Sequence, residues 1–113
     1  MTIQRIDDVT IARGSCYNPQ FVFVNEDGSI PDYTGYSGYY ILSVYGFEDE
    51  NVVSITMELT GTNIFTALLN SSDTDIEPGT YSAKVVLVDE NGNQYKPCRG
   101  VVSILNDTLE VDA

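Results

Sequence analysis

The sequence predicts an all-β domain of about seven to eight antiparallel strands. Three observations support this prediction. Apolar residues alternate with polar ones in several short runs, turn-forming residues separate the runs about every 8–12 residues, and no run has the period of a long helix. This pattern is typical of a sandwich or barrel and differs from the strand–helix alternation of α/β proteins. A length of 113 residues corresponds to one domain.

The N-terminal third contains two predicted strands. Residues 1–8 are polar apart from isolated isoleucines, and we interpret them as a candidate N-terminal arm. Residues 9–12 form the first strand of a domain that we place at 9–105. Residues 21–24, Phe-Val-Phe-Val, are apolar on both faces, which is typical of a central strand. In the following bend Pro31 lacks an amide donor and therefore belongs at an edge or corner.

The middle of the chain holds the longest β-rich run, residues 36–46. Alternation gives this run two different faces. One face carries Tyr39, Ile41, Ser43 and Tyr45, and the other carries Tyr40, Leu42 and Val44. An acidic loop is expected at 47–51. Residues 53–59 and 64–69 then follow as strands.

The C-terminal third predicts at most one helical turn, near residues 72–77. Ser72 or Asp73 can cap this turn, and Pro78 with the glycine after it would end it. Strands are expected at 80–89 and 94–105, with a bulge or edge position at Pro97. Residues 106–113 are interpreted as an acidic C-terminal tail.

The charge of the chain argues against two classes of partner. The net charge is −12, from 17 acidic and 5 basic residues. Nucleic-acid binding requires a cationic surface that displaces counterions, and anionic membranes attract basic segments. We therefore expect neither nucleic acid nor membrane as a partner.

Arrangements of residues that are typical of enzyme active sites are mostly absent from the sequence. The chain has no histidine, so it has no imidazole base and no histidine metal ligand. Cys16 lacks a histidine partner, and the acidic clusters lack the glycine-centred spacing of a calcium loop. The sequence predicts no enzyme, no catalytic residue, no metal and no cofactor.

The apolar positions and the cysteines give two expectations for the interior. The expected core residues lie in the alternating strands: Phe23, Ile41, Ile55, Met57, Val85 and Leu87. Cys16 and Cys98 are expected to be buried free thiols, because the N-terminal residues do not resemble an export signal.

The tyrosines give the candidate site. A cluster around the long β-rich run forms the candidate interface: Tyr36, Tyr39, Tyr40 and Tyr45. Tyrosine suits an interface because its ring packs while its hydroxyl stays hydrated. The same cluster could instead stack on sugars, so a carbohydrate-binding role stays open.

Several short motifs follow one another in an order that resembles a known module. They are Ile11-Ala12-Arg13-Gly14, Phe21-Val22-Phe23-Val24, Asp27-Gly28-Ser29-Ile30-Pro31-Asp32-Tyr33-Thr34-Gly35, Ser71-Ser72-Asp73-Thr74, Pro78-Gly79-Thr80-Tyr81, Val88-Asp89-Glu90-Asn91-Gly92 and Gly100-Val101-Val102-Ser103-Ile104. This order is similar to that of the immunoglobulin-like β-sandwich module in baseplate upper proteins and tail-fibre adaptors of tailed bacteriophages. One departure is Gly14-Ser15-Cys16, where the family continues Gly-Asp-Thr.

The resemblance implies an immunoglobulin-like sandwich that serves as a structural protein of the phage virion. Its role would be that of a tail, baseplate or fibre-adaptor component, assembled in the host bacterial cytoplasm. The implied partners are other virion proteins and further copies of the chain. Contacts are expected through residues 36–46 or through the terminal segments 1–8 and 106–113. A capsid decoration protein and an immunoglobulin-like carbohydrate-binding module are the alternatives.

Overall fold

The computed structural model describes residues 4–5 and 8–105. The elements are β1 Gln4–Arg5, β2 Val9–Ala12, β3 Gln20–Val22, β4 Ser37–Val44, β5 Phe47–Leu59, β6 Ile64–Thr66, α1 Ser71–Thr74, β7 Gly79–Val88 and β8 Gln94–Leu105. The all-β prediction is confirmed, and helix in the described ranges amounts to one turn. The predicted tail 106–113 lies outside the described residues. Two residues of the predicted arm, Gln4 and Arg5, pair with β8.

The strands follow one hydrogen-bonded path, β1-β8-β7-β4-β5-β6-β3, and β2 also pairs with β8. The path curls into a half-barrel. The prediction of antiparallel strands is wrong for β2, which runs parallel to β8, as β1 of the predicted arm also does. Parallel neighbours need a long crossover, and the chain between β2 and β8 supplies one. The immunoglobulin-like arrangement itself stays a prediction.

Two layers enclose the core. The first layer consists of β8, β7, β4 and most of β5, and the second consists of β6 and β3. The end of β5 joins them, because Glu58 and Leu59 pair with β6 after the preceding residues have paired with β4. Between the layers the ring of Phe21 stacks on Tyr40, with their centroids 5.8 Å apart.

Most of the expected core is confirmed. Phe23, Met57, Val85 and Leu87 are buried, while Ile55 is half-buried and packs against the core. Burial of Ile41 was a wrong prediction. This side chain is half-exposed on the outer face of the first layer, where its cross-strand neighbours are Ser54 and Lys84.

Gly38 sets the spacing between the layers. It lies on the inner face of β4, where a Cβ atom would stand 2.7 Å from Cδ1 of Phe65 and 3.1 Å from Cε of Met57. Real Cβ atoms do not approach other atoms so closely, so the phenyl ring occupies the volume that a side chain would need. Glycine at this position therefore allows the second layer to pack directly on the β4 backbone.

The turns differ from the sequence predictions in detail. The expected helical turn exists as α1, but its N-cap is Asn70 rather than Ser72 or Asp73, and it ends at Thr74. The Asn70 side chain accepts hydrogen bonds from the amides of Ser72 and Asp73 at 3.1 Å. Asparagine is among the best N-cap residues, which explains this choice.

Two other local predictions have opposite outcomes. Residues 47–51 begin β5 and are not a loop, because the tight turn at Tyr45-Gly46 precedes them and Gly46 has φ of 83°. The bulge expected near Pro97 is confirmed, since the register between β7 and β8 shifts between Val85 and Leu87.

The two cysteines have different environments. Both are free thiols, as predicted, but Cys16 is exposed and only Cys98 is buried. Burial raises the pKa of the Cys98 thiol to about 11. Cys98 faces the core opposite Val85, whereas Cys16 lies on the connection between β2 and β3.

Candidate interaction surfaces

The four tyrosines of the predicted interface do not form one surface. Tyr40 is 1% exposed and lies in the core, so its assignment to an interface was wrong. The reason is its position on the inner face of β4, where the second layer covers it. Burial raises the pKa of the Tyr40 phenol, whose hydroxyl shares a hydrogen bond with Tyr17.

Tyr36 belongs to an aromatic row at the start of β4. Its ring lies 5.1 Å from that of Tyr33 and 6.4 Å from that of Tyr95, measured between centroids. The Tyr95 hydroxyl donates a hydrogen bond to Asp89 at 3.2 Å. Tyr36 is therefore half-buried and packs along the edge of the core.

Tyr39 and Tyr45 offer surface that a partner could reach on the outer face of the first layer and in the following turn. Tyr39 is half-exposed on the outer face of the first layer, in register with Thr56 and Val86. Tyr45 is exposed in the turn between β4 and β5. The four tyrosine rings therefore do not form one shared surface on which a sugar could stack.

An open apolar surface lies on the second layer, where the sequence predicted a buried strand. The prediction of a central strand at 21–24 was wrong, because among the described strands β3 ends the path and pairs only with β6. Phe21 and Phe23 are buried, as alternation requires, but Val22 is 55% exposed and Val24 is 53% exposed. One face of this apolar run is therefore open.

Strand β6 and its continuation extend the same surface. Ile64 is the register partner of Val22, and Leu68 is 50% exposed between the buried Ala67 and Leu69. We call the four outward apolar side chains the β3–β6 face: Val22, Val24, Ile64 and Leu68. Sequence reasoning missed this face, although the Phe-Val-Phe-Val run was its visible signal.

The edge of β3 is also open. Phe23 donates its amide to the Asn63 carbonyl at 3.0 Å, and the Pro19 carbonyl accepts from Ala67 at 3.0 Å. Since these odd-numbered residues direct their backbone groups toward β6, Val22 and Val24 direct theirs away from it. No described strand lies on that side. A strand edge of this kind can accept another chain.

Acidic residues lie beside the β3–β6 face. Glu58 is the register partner of Thr66 on β6, and the turn after Val24 contains Glu26 and Asp27. Hydrogen bonds from the Ser29 hydroxyl and amide lower the pKa of Asp27. This carboxylate is charged at neutral pH, so the border of the face is anionic.

Two basic side chains are neighbours on the outer face of the first layer. Lys84 lies between Ile41 on β4 and Arg99 on β8, and Tyr39 is two residues along from Ile41. We call these four residues the basic face: Tyr39, Ile41, Lys84 and Arg99. The basic face is notable in a chain with only five lysines and arginines.

The carboxylates show no constellation for chemistry in the part of the chain that the structure describes. No group of three or more cysteine, aspartate or glutamate side chains there is arranged to hold a metal ion. Asp89 instead stabilises the turn between β7 and β8, where its carboxylate accepts hydrogen bonds from the amides of Asn91 and Asn93 at 2.9 Å.

Comparison with known proteins gives no further indication of a family. The described part of the chain contains no helix of the length and apolarity that a bilayer crossing requires. No family model matches the sequence, and no curated protein matches it either.

Proposed function

We propose that this protein is a non-enzymatic structural component of a phage particle. It acts as a tail, baseplate or fibre-adaptor part that joins other virion proteins by surface contact. The observation that carries this proposal is the open side of β3. A strand with apolar residues on both faces is typical of full burial, yet Val22 and Val24 are more than half exposed.

Burial of the β3–β6 face would give a partner a clear energetic gain. Transfer of apolar surface from water contributes roughly 25 cal/mol per Å², so each half-exposed valine or leucine contributes roughly 1 kcal/mol. The edge backbone groups of Val22 and Val24 add directional hydrogen bonds. Together these features are those of a contact surface rather than of a ligand pocket.

The strand order supports the immunoglobulin-like arrangement that the sequence motifs suggest. In that fold one sheet contains the strands C, F and G, and the other contains B, E and D. Here β4, β7 and β8 are neighbours in that order, and β3, β6 and the end of β5 form the second set. The Tyr81 hydroxyl donates to the Glu77 carbonyl upstream, as in a tyrosine corner.

The assignment to a virion rests on the ordered motifs along residues 9–105. A structural module for which the sequence predicts no catalysis fits that setting, because virion parts work as many identical copies held by symmetry. The carbohydrate-binding alternative loses its motivation, since Tyr40 is in the core and Tyr36 packs on Tyr33 and Tyr95.

Mass spectrometry of purified phage particles tests the proposal. Particles are prepared from cultures that carry the wild-type gene, the double variant Val22→Asp/Val24→Asp, or the matched control Phe47→Asp. Phe47 is 64% exposed and lies in the β4–β5 hairpin, away from β3 in sequence. We expect the wild type and the control in the particles at a constant copy number, and the double variant to be lost although the purified chain still folds.

Two results would overturn the proposal. Particles that lack the wild-type protein would remove the virion assignment. Equal incorporation of the double variant and the control would show that β3 is not a contact surface.

A further inference from the structure

We infer that copies of this chain associate head to tail, with the β3–β6 face of one copy packed on the basic face of the next. The inference deepens the proposed function and rests on it, because it names the partner as a second copy. Three features of the described residues carry it: the direction of the two faces, their charges and their apolar content.

The two faces point in opposite directions. Tyr40 points inward from β4 and stacks on Phe21, so its neighbours Tyr39 and Ile41 point outward from the first layer. Phe21 points inward from β3, so Val22 points outward from the second layer. The β3–β6 face and the basic face are therefore on opposite sides of one molecule.

The placement of the two faces on opposite sides determines the symmetry of the contact between copies. A twofold dimer uses the same patch on both copies, whereas two different patches on opposite sides make a head-to-tail contact. Such a contact leaves one open face at each end of the pair. Repetition then gives a ring if the rotation closes, or a filament if it does not.

Charge favours this pairing over a contact between like faces. Each chain carries a net charge of −12, so copies repel one another in general. Two β3–β6 faces brought together would add the repulsion of Glu58 and Asp27 on both sides. On the basic face the same carboxylates would meet the ammonium group of Lys84 instead.

Both faces also carry apolar side chains that are at least partly exposed to water. Val22, Val24 and Leu68 are each at least half exposed on one side, and Ile41 and Tyr39 are half-exposed on the other. Apolar residues with a charged border are the usual composition of a protein interface. The basic face thus offers a second copy both apolar contact and opposite charge.

Blocking the two faces separately tests the inference. Lys84→Glu/Arg99→Glu blocks the basic face and keeps two like charges opposite each other across β7 and β8, so the cross-strand repulsion is retained. Val22→Asp/Leu68→Asp blocks the β3–β6 face, and Phe47→Asp is the control for an added surface aspartate. Sedimentation velocity of the purified full chains, at increasing concentration, measures association, and thermal unfolding confirms that each variant is folded.

Head-to-tail contact gives a specific set of results. The wild type and Phe47→Asp form larger species as concentration rises, whereas self-association of each blocked variant is weakened about tenfold or more. An equimolar mixture of the two blocked variants forms a heterodimer and nothing larger, because each supplies the face that the other lacks. Tyr39→Ala, a milder change on the basic face, weakens association without added charge.

Other results would overturn the inference. A wild-type chain that is monomeric at every concentration, self-association of the basic-face variant at wild-type strength, or a mixture that stays monomeric would each do so. These outcomes are separate from the proposed function, because the wild-type protein would still be found in particles by mass spectrometry if it joins only other virion proteins.

Discussion

The two layers of this molecule use apolar residues differently. The strands β4, β5, β7 and β8 contain 8, 13, 10 and 12 residues, whereas β3 and β6 contain three each. The inner faces of both layers are apolar. Outward positions on the first layer combine polar side chains such as Thr56 with half-buried apolar ones such as Ile41. On the second layer the outward side chains of Val22 and Leu68 are at least half exposed.

This contrast separates residues that fold the chain from residues that serve contacts. A long strand with one apolar face is complete once the core forms. A short strand with two apolar faces gains stability on one side only, and the other side stays in water until a partner covers it. Variants in the two layers measure this difference, and the largest effect is expected in the core.

The layers should differ most when large apolar side chains are shortened. Leu87 is fully buried, so Leu87→Ala should lower the free energy of unfolding by about 2–5 kcal/mol through lost transfer energy and a residual cavity. Val22→Ala should change it by about 0.5 kcal/mol or less, because that side chain is open to water. Urea unfolding of both variants measures the difference. Similar losses in the two would contradict the contrast.

The contact between the layers can be disturbed at Gly38. Gly38→Ala places a methyl group 2.7 Å from the Phe65 ring, so we expect a loss of about 1–3 kcal/mol from overpacking. Gly61→Ala is the matched control, because its Cβ would lie 3.5 Å from Ile64 in ordinary contact. Thermal unfolding should show a clear loss only for the first variant, and an unchanged Gly38→Ala would mean that the layers are not held at this distance.

The turn that leads from the second layer back to the first depends on its cap. Asn70→Ala removes the acceptor for the amides of Ser72 and Asp73, and should cost about 0.5–2 kcal/mol. Asn18→Ala, at another exposed asparagine, should be close to neutral. Equal effects of the two changes in chemical unfolding would argue against the capping role.

The two thiols should differ in reactivity, because Cys16 is exposed and Cys98 is buried. At pH 8 the folded chain should react rapidly with a thiol reagent at Cys16 only, because the buried Cys98 thiol stays protonated and the thiolate is the nucleophile. After unfolding, both should react. Folding raises the pKa of Cys98 from 9.0 to about 11. The stabilisation that is linked to this shift is therefore complete below pH 9 and is lost as the pH rises toward 11. Rapid modification of two thiols in the folded chain would contradict this burial.

Some features were readable from the sequence because they depend on local chemistry. The bulge near Pro97 and the inward residues Val85 and Leu87 follow from backbone preference or alternation. Alternation alone does not say which layer covers which face. It therefore placed Ile41 in the core and Tyr40 in an interface, whereas the positions of β3 and β6 decide the opposite.

The β3–β6 face could not be predicted from the sequence for a related reason. A Phe-Val-Phe-Val run predicts burial on both faces, but it does not distinguish burial by the same chain from burial by another. Only the strand order shows that β3 is an edge with no described neighbour beyond it. The parallel pairing of β2 with β8 was equally invisible, because it joins residues from the two ends of the domain.

The central claim is that the β3–β6 face becomes buried in the particle, and hydroxyl-radical footprinting measures this burial directly. Side-chain oxidation is compared between the isolated chain and intact particles, with the exposed Phe47 as an internal reference. The account predicts rapid oxidation of Val22, Val24 and Leu68 in the isolated chain and strong protection of all three in particles, while Phe47 changes little. Oxidation of Val22, Val24 and Leu68 at the same rate in both states would contradict it.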